Sequence, residues 1–256
     1  MFFVLKKDKI MAFLVACSTV FALFLMSSLF TEIPQIAIET GSVSKNLPIY
    51  SVKTEEPKVA LTINCAWNAD DIDKILETTE KENVKITFFM VGDWIEKNTE
   101  AVKKIHAAGH ELANHSYSHP HVSNLNYDKN VEQIKKCSEL IKSITGKEST
   151  LYRGPYGEYN DTVLQAAKDT NHTAIQWSID TLDYNSLTGE QMWERIEPKL
   201  ENGSIILMHN GTENTANSLQ MIIQNIKAKG FSIVPVSELI YTENYEIDNN
   251  GTQYKK

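Results

Sequence analysis

Residues 59–90 read Val-Ala-Leu-Thr-Ile-Asn-Cys-Ala-Trp-Asn-Ala-Asp-Asp-Ile-Asp-Lys-Ile-Leu-Glu-Thr-Thr-Glu-Lys-Glu-Asn-Val-Lys-Ile-Thr-Phe-Phe-Met. The stretch opens on a short apolar, β-branched run at 59–63 and closes on another at 84–90. Between them Ile72, Ile75, Leu76 and Thr79 fall on one helical face. A buried strand, a crossover helix and a second buried strand are the unit from which parallel sheets are built.

The same alternation continues outward. Further short apolar runs lie at 151–153, 173–177, 205–208 and 231–236. Ile134, Cys137, Ile141 and Ile144 share a helical face, as do Leu219, Ile222, Ile223 and Ile226. The fold class expected is α/β, with a parallel sheet either open or closed into a barrel. Residues 242–256 are polar and are expected to fray.

Upstream, Lys6, Lys7 and Lys9 precede an almost uncharged apolar run over residues 10–30, with Glu32 and Glu39 after it. That length suits a bilayer span, and the positive-inside rule places residues 1–9 in the cytoplasm and the rest outside. Cys17 closes a lipoprotein-like Leu-Val-Ala-Cys, but the apolar run continues beyond it, and no small-residue site marks a cleaved signal peptide. An uncleaved single-pass membrane anchor is therefore expected, followed by a stalk at 31–57 and a domain at 58–241. The net charge of −8 over 256 residues, with no Lys/Arg cluster, argues against a nucleic-acid partner. Three cysteines are too few for a disulfide framework.

Unusual polar clusters follow the apolar runs, and strand C-terminal ends form the active-site face of α/β barrels. His115-Ser116-Tyr117-Ser118-His119-Pro120 is the strongest cluster. Two histidines four apart on one turn of helix can grip one metal ion of zinc type; the bland alternative is a His-rich surface loop. Tyr152-Arg153-Gly154-Pro155-Tyr156-Gly157 is a tight turn that would present Arg153 to the mouth. Trp177 to Asp183 reads as an apolar strand ending in the carboxylates Asp180 and Asp183, and Ile205 to His209 as an apolar strand closed by a histidine.

In this order the motifs resemble the polysaccharide deacetylase family, the NodB-homology domain of carbohydrate esterase family four, over about 58–241. The anchor-bearing N-terminus resembles its sporulation branch. The resemblance implies a distorted (β/α) barrel and hydrolysis of N-acetyl groups on amino-sugar polymers such as peptidoglycan or chitin-like oligomers. It implies metal ligation by His115 and His119, orientation of the base by Arg153, and protonation of the leaving amine by His209. Asp180 would hold the tautomer of His209, Leu207 would receive the acetyl methyl, and Trp67, Trp94, Tyr117 and Tyr156 would either stack on sugar rings or take plain core positions. The divalent ion implied is zinc, with cobalt, nickel and manganese as alternatives.

The first motif departs from the family's Thr-Phe-Asp-Asp, reading Thr62-Ile63-Asn64-Cys65. Asn64, at the position of the base, cannot take up a proton. Either Asp70 (or Asp71) supplies the missing carboxylate as third ligand or base, or Cys65 completes a Cys-His-His site, or the site binds metal or glycan without efficient catalysis. Asp70 is slightly favoured. The functions left open are a metal-dependent deacetylase, a wall-binding member of the same fold, and an amidase acting on a non-sugar amide.

Overall fold

The computed structural model describes residues 46–256. The expected anchor at 10–30, and the stalk as far as 45, lie outside the described residues. Among the described residues no helix is long and apolar enough to cross a membrane.

The centre of the fold is a parallel sheet. In chain order its strands are β2 (Lys58–Cys65), β3 (Thr87–Met90), β4 (Glu111–Asn114), β5 (Leu151–Tyr152), β6 (Thr173–Ala174), β7 (Ile179–Asp180), β8 (Ile205–His209) and β9 (Ser232–Ile233). The hydrogen-bonded path runs β6-β5-β4-β3-β2-β8-β7, with β9 paired to the start of β2. No pair joins β6 to β7 among the described residues, so the sheet is a curled half-barrel rather than a closed barrel.

Helices cover the outer face: α1 (Ile72–Lys81), α2 (Gly92–Lys97), α3 (Thr99–Ala107), α4 (Tyr127–Thr145), α5 (Asp161–Asp169), α6 (Gly189–Ile196), α7 (Thr215–Ala228) and the short α8 (Val236–Leu239). Period-two alternation on β2 sorts its side chains. Val59, Leu61, Ile63 and Cys65 join the core under the helices, whereas Ala60, Thr62 and Asn64 face the inside of the curl. The stripes expected on α1, α4 and α7 are the buried ones, with Leu76 and Ile144 at the margin. Asn126 and Asn160 cap α4 and α5 with their side chains, and Gly146 ends α4 at φ 71°.

The polar tail does not fray. β10 (Tyr245–Ile247) pairs antiparallel with β11 (Thr252–Lys255), and β11 pairs parallel with β1 (Ser51–Val52), inside the segment expected as stalk. The reason lies in long-range contacts that local polarity does not reveal. The buried Gln253 side chain accepts from the Tyr241 N–H at 2.8 Å and donates to its carbonyl at 2.6 Å, while Ile49 and Val52 are buried. Ile49 also bridges to Ile175, and Val52 N–H donates to the Gly203 carbonyl, so residues 49–52 line the open side of the curl.

Candidate active site

Register brings the polar clusters to one end of the sheet. Asn64 lies opposite His209 across β2–β8, Met90 opposite Asn114 across β3–β4, and Asn114 opposite Tyr152 across β4–β5. His115 and Arg153 each follow one step beyond their strands. Around this end lies a pocket of about 480 Å³ lined by Asn64, Trp67, His115, His119, Tyr156, Trp177, Asp180, Tyr184, Leu207 and His209, among others.

His115 and His119 are neighbours, with ring centroids 5.0 Å apart, but not on a helix. They sit in a loop after β4 with Ser116 at φ 68° and His119 at φ 54°, a left-handed backbone that a helical turn excludes. A single amide oxygen gathers three donors of this loop. Gln133 Oε1 on α4 accepts from Ser116 Oγ at 2.9 Å and from the backbone N–H groups of Tyr117 and Ser118 at 3.1 and 3.0 Å. The sequence held no local signal for Gln133, because its partners lie 15 to 17 positions away.

Arg153 is fully buried, not presented to the mouth. Its Nη1 donates to Thr62 Oγ1 and to Asn64 Oδ1, both at 2.9 Å, and its Nη2 to the Gln176 carbonyl at 2.9 Å. The guanidinium lies over the Phe89 ring at 3.9 Å. Burial, partly offset by the charge of Asp180, lowers its pKa to about 9. His115 is buried as well, and burial followed by the neighbouring His119 holds its pKa well below the usual value, so the ring is neutral.

On the opposite wall His209 is held by Asp183, not by Asp180. Asp183 Oδ1 accepts from His209 Nδ1 at 2.8 Å, and Oδ2 accepts from the His209 backbone N–H and from Thr215 Oγ1, each at 2.6 Å. A carboxylate on Nδ1 fixes the proton there and leaves Nε2 for the pocket. Asp180 does line the pocket, but its Oδ1 accepts from the Leu182 N–H at 2.8 Å. The difference comes from backbone geometry. Leu182 takes φ 53° and a 3-10 turn over Asp183–Asn185 follows, which folds Asp183 back under β8. Both carboxylates were visible in the sequence; which of them turned inward was not.

Leu207 is buried in the pocket wall, and Trp67 and Tyr156 line the pocket with exposed rings. The Trp67 ring is 5.3 Å from His209, and Tyr156 is 4.6 Å from His119. Tyr184, missed at the sequence level, is a third exposed aromatic of the pocket at 5.4 Å from His209. Trp94 is buried, with its Nε1 donating to the Asn68 carbonyl, and Tyr117 packs against the core.

The expected third ligand is not brought to the histidine pair. Asp70 is exposed and does not line the pocket. Asp71 accepts from the Gly211 N–H at 2.8 Å and from Asn210 Nδ2 at 3.3 Å, tying two loops together. Cys65 points into the helix-side core, where burial raises its thiol pKa. Among the described residues no group of three His, Cys, Asp or Glu side chains could hold a metal ion. Asn64 instead directs its amide nitrogen to His115 Nε2 at 3.3 Å. A donor N–H aimed at the ligand nitrogen is the wrong chemistry for a cation, so these residues do not fit the resident divalent ion that the family implies.

Comparison with known proteins agrees with this architecture. Residues 51–175 match the family described as polysaccharide deacetylase. The uncharacterised protein YlxY of Bacillus subtilis is 36% identical over 75% of this chain, which spans 60% of that protein's length. A peptidoglycan-N-acetylglucosamine deacetylase of Bacillus cereus is 31% identical over 78% of this chain and 74% of its own. A solved CE4 family pseudoenzyme from Bacillus anthracis superposes with a TM-score of 0.73 at 33% identity, over 76% of this chain and 69% of its own. With this identity spread over most of both chains and the same curled sheet beneath it, the chain belongs to the polysaccharide deacetylase family.

Proposed function

We propose that this chain recognises N-acetylated amino-sugar units of peptidoglycan in a deacetylase pocket, with hydrolysis slowed by the loss of its base and of a fit for the divalent ion. The observation that carries the reading is the pocket's division into two unequal halves. The acid half is complete: His209, held by Asp183, offers Nε2–H, once protonated, to a departing amine, and Leu207 gives an apolar wall for a methyl group. The base half is not: the position facing it is Asn64, whose amide takes up no proton. Loss of a general base costs a factor of about 10² to 10⁴ in rate. The choice of peptidoglycan rests on relatives from Bacillus cereus and Listeria monocytogenes that are peptidoglycan-N-acetylglucosamine deacetylases. Pseudoenzyme neighbours are consistent with slow turnover, and a mutant of the Bacillus anthracis protein is described as having restored enzymatic activity.

An extracytoplasmic position, with residues 10–30 as a membrane anchor, belongs to the same proposal. The lysines ahead of that run support it, and protease access to the domain on intact cells tests it.

The test of function uses the full chain with peptidoglycan fragments and N-acetylchito-oligomers. Binding is followed by calorimetry and acetate release by a coupled assay, beside a deacetylase with aspartate at the base position. Binding with acetate release at least about a hundredfold slower is the expected result. Release within tenfold of that enzyme would show that Asn64 is no handicap. Absence of binding to any N-acetylated glycan would remove the proposal.

A further inference from the structure

Three buried groups close a ring of hydrogen bonds, and each fixes the next. His115 Nδ1 lies 2.7 Å from the Arg153 carbonyl, which can only accept. The ring proton is therefore on Nδ1, and Nε2 carries the lone pair. Arg153 Nη1 lies 2.9 Å from the Asn64 side chain, and a guanidinium can only donate. The amide oxygen of Asn64 must face it, which turns the amide NH₂ to His115 Nε2 at 3.3 Å. None of the three groups can flip without leaving a buried donor or acceptor unpaired.

We infer that the Asn64 amide closes His115 to metal, so that this pocket works without a resident divalent ion. To ligate a cation, His115 Nε2 must first lose its N–H partner. Withdrawing Asn64 would also strip Arg153 Nη1 of one of its two oxygen acceptors in a fully buried site. An aspartate in the same place would reverse the balance. Its oxygen would face the Nε2 lone pair, and something positive would have to lie between them. His115 Nε2 and His119, beside it in the same loop, would then be open to a cation that the added negative charge attracts. One amide at the base position thus keeps His115 Nε2 occupied by a donor N–H.

Only the glycan arm of the test rests on the proposed function. The full chain and its variants are loaded with excess zinc, cobalt or nickel, dialysed, and assayed for bound metal by mass spectrometry. The natural chain should retain less than about one-tenth of an equivalent, and Asn64→Asp about one, lost again when His119→Ala is added. Asn64→Ala, which frees Nε2 without adding charge, should take up more metal than the natural chain and serves if the aspartate variant does not fold. Binding of tetra-N-acetylchitotetraose should be unchanged by EDTA. About one equivalent of metal in the natural chain, abolished by His115→Ala, would overturn the inference, as would a tenfold loss of oligomer binding on chelation. Failure to bind the oligomer with or without chelator would remove the proposed function, and the metal measurement would decide the closure of His115 by itself.

Discussion

At the scale of single residues, Asp183 separates a working tautomer from a mere neighbour. Its two oxygens accept from three donors while it is wholly buried. Asparagine there would keep one acceptor oxygen and turn its NH₂ toward a donor, leaving buried groups unpaired. Asp183→Asn is expected to lower unfolding stability by about 1–3 kcal/mol. Asp180→Asn should cost less than about 0.5 kcal/mol, since an amide oxygen can still accept from the Leu182 N–H. Urea denaturation of both variants checks the pair, and equal costs would mean that the His209–Asp183 contact contributes nothing. The substitution that most shapes the site, Asn64, was legible in the sequence as a departure. Its consequence was not, because it depends on Arg153 and His115, respectively 89 and 51 positions away.

Among the elements, α1, β3 and β4 meet at His110, just before β4. Its Nδ1 accepts from the Ile86 N–H at 3.2 Å and its Nε2 lies 3.1 Å from Thr79 Oγ1, so the structure uses the neutral ring. Burial lowers its pKa from 6.5 to about 4, with Lys85 adding to the effect. Between these values the unfolded chain binds a proton that the folded chain refuses. The stability that His110 contributes is therefore complete above pH 6.5 and is lost as pH falls toward 4. The slope is about 1.4 kcal/mol per pH unit for one proton, or roughly 3 kcal/mol over the window. His115, His119 and His172 are lowered as well, each chiefly by burial, and push in the same direction. Denaturation midpoints should fall steeply from pH 6.5 to 4, and His110→Gln should remove about one proton from the slope. A flat profile over that range would contradict the burial of these rings. In the sequence α1 and β3 showed themselves through their apolar period, but β3 proved shorter than its apolar run. Only four residues of 84–90 join the ladder, because pairing partners, not hydrophobicity, set a strand's ends.

For the whole molecule, the two ends of the described chain close on each other. β1 and β11 pair although 201 positions separate Ser51 from Thr252. Gly203, at φ 81°, lies so close to Val52 that a Cβ there would fall 1.6 Å from the Val52 carbonyl oxygen. Removing residues 242–256 should lower unfolding stability by about 2 kcal/mol or more, from the two Gln253–Tyr241 hydrogen bonds alone. Gly203→Ala should cost about 1–3 kcal/mol, since its backbone conformation is one that only glycine adopts freely. Thermal unfolding of both variants measures this, and an unchanged transition in the truncated chain would mean that the small sheet is an ornament. By itself the sequence determined the α/β alternation, the buried stripes of three helices and most of the residues around the pocket, because periodicity and ordered motifs are local properties of a chain. Only the tertiary structure decided that the barrel stays half open, that the polar tail forms two paired strands, that Asp183 rather than Asp180 holds His209, and that Asp70, Asp71 and Cys65 leave the histidine pair without a third ligand. Each of those outcomes depends on which distant groups satisfy a buried donor or acceptor, and a sequence shows the groups without showing their partners.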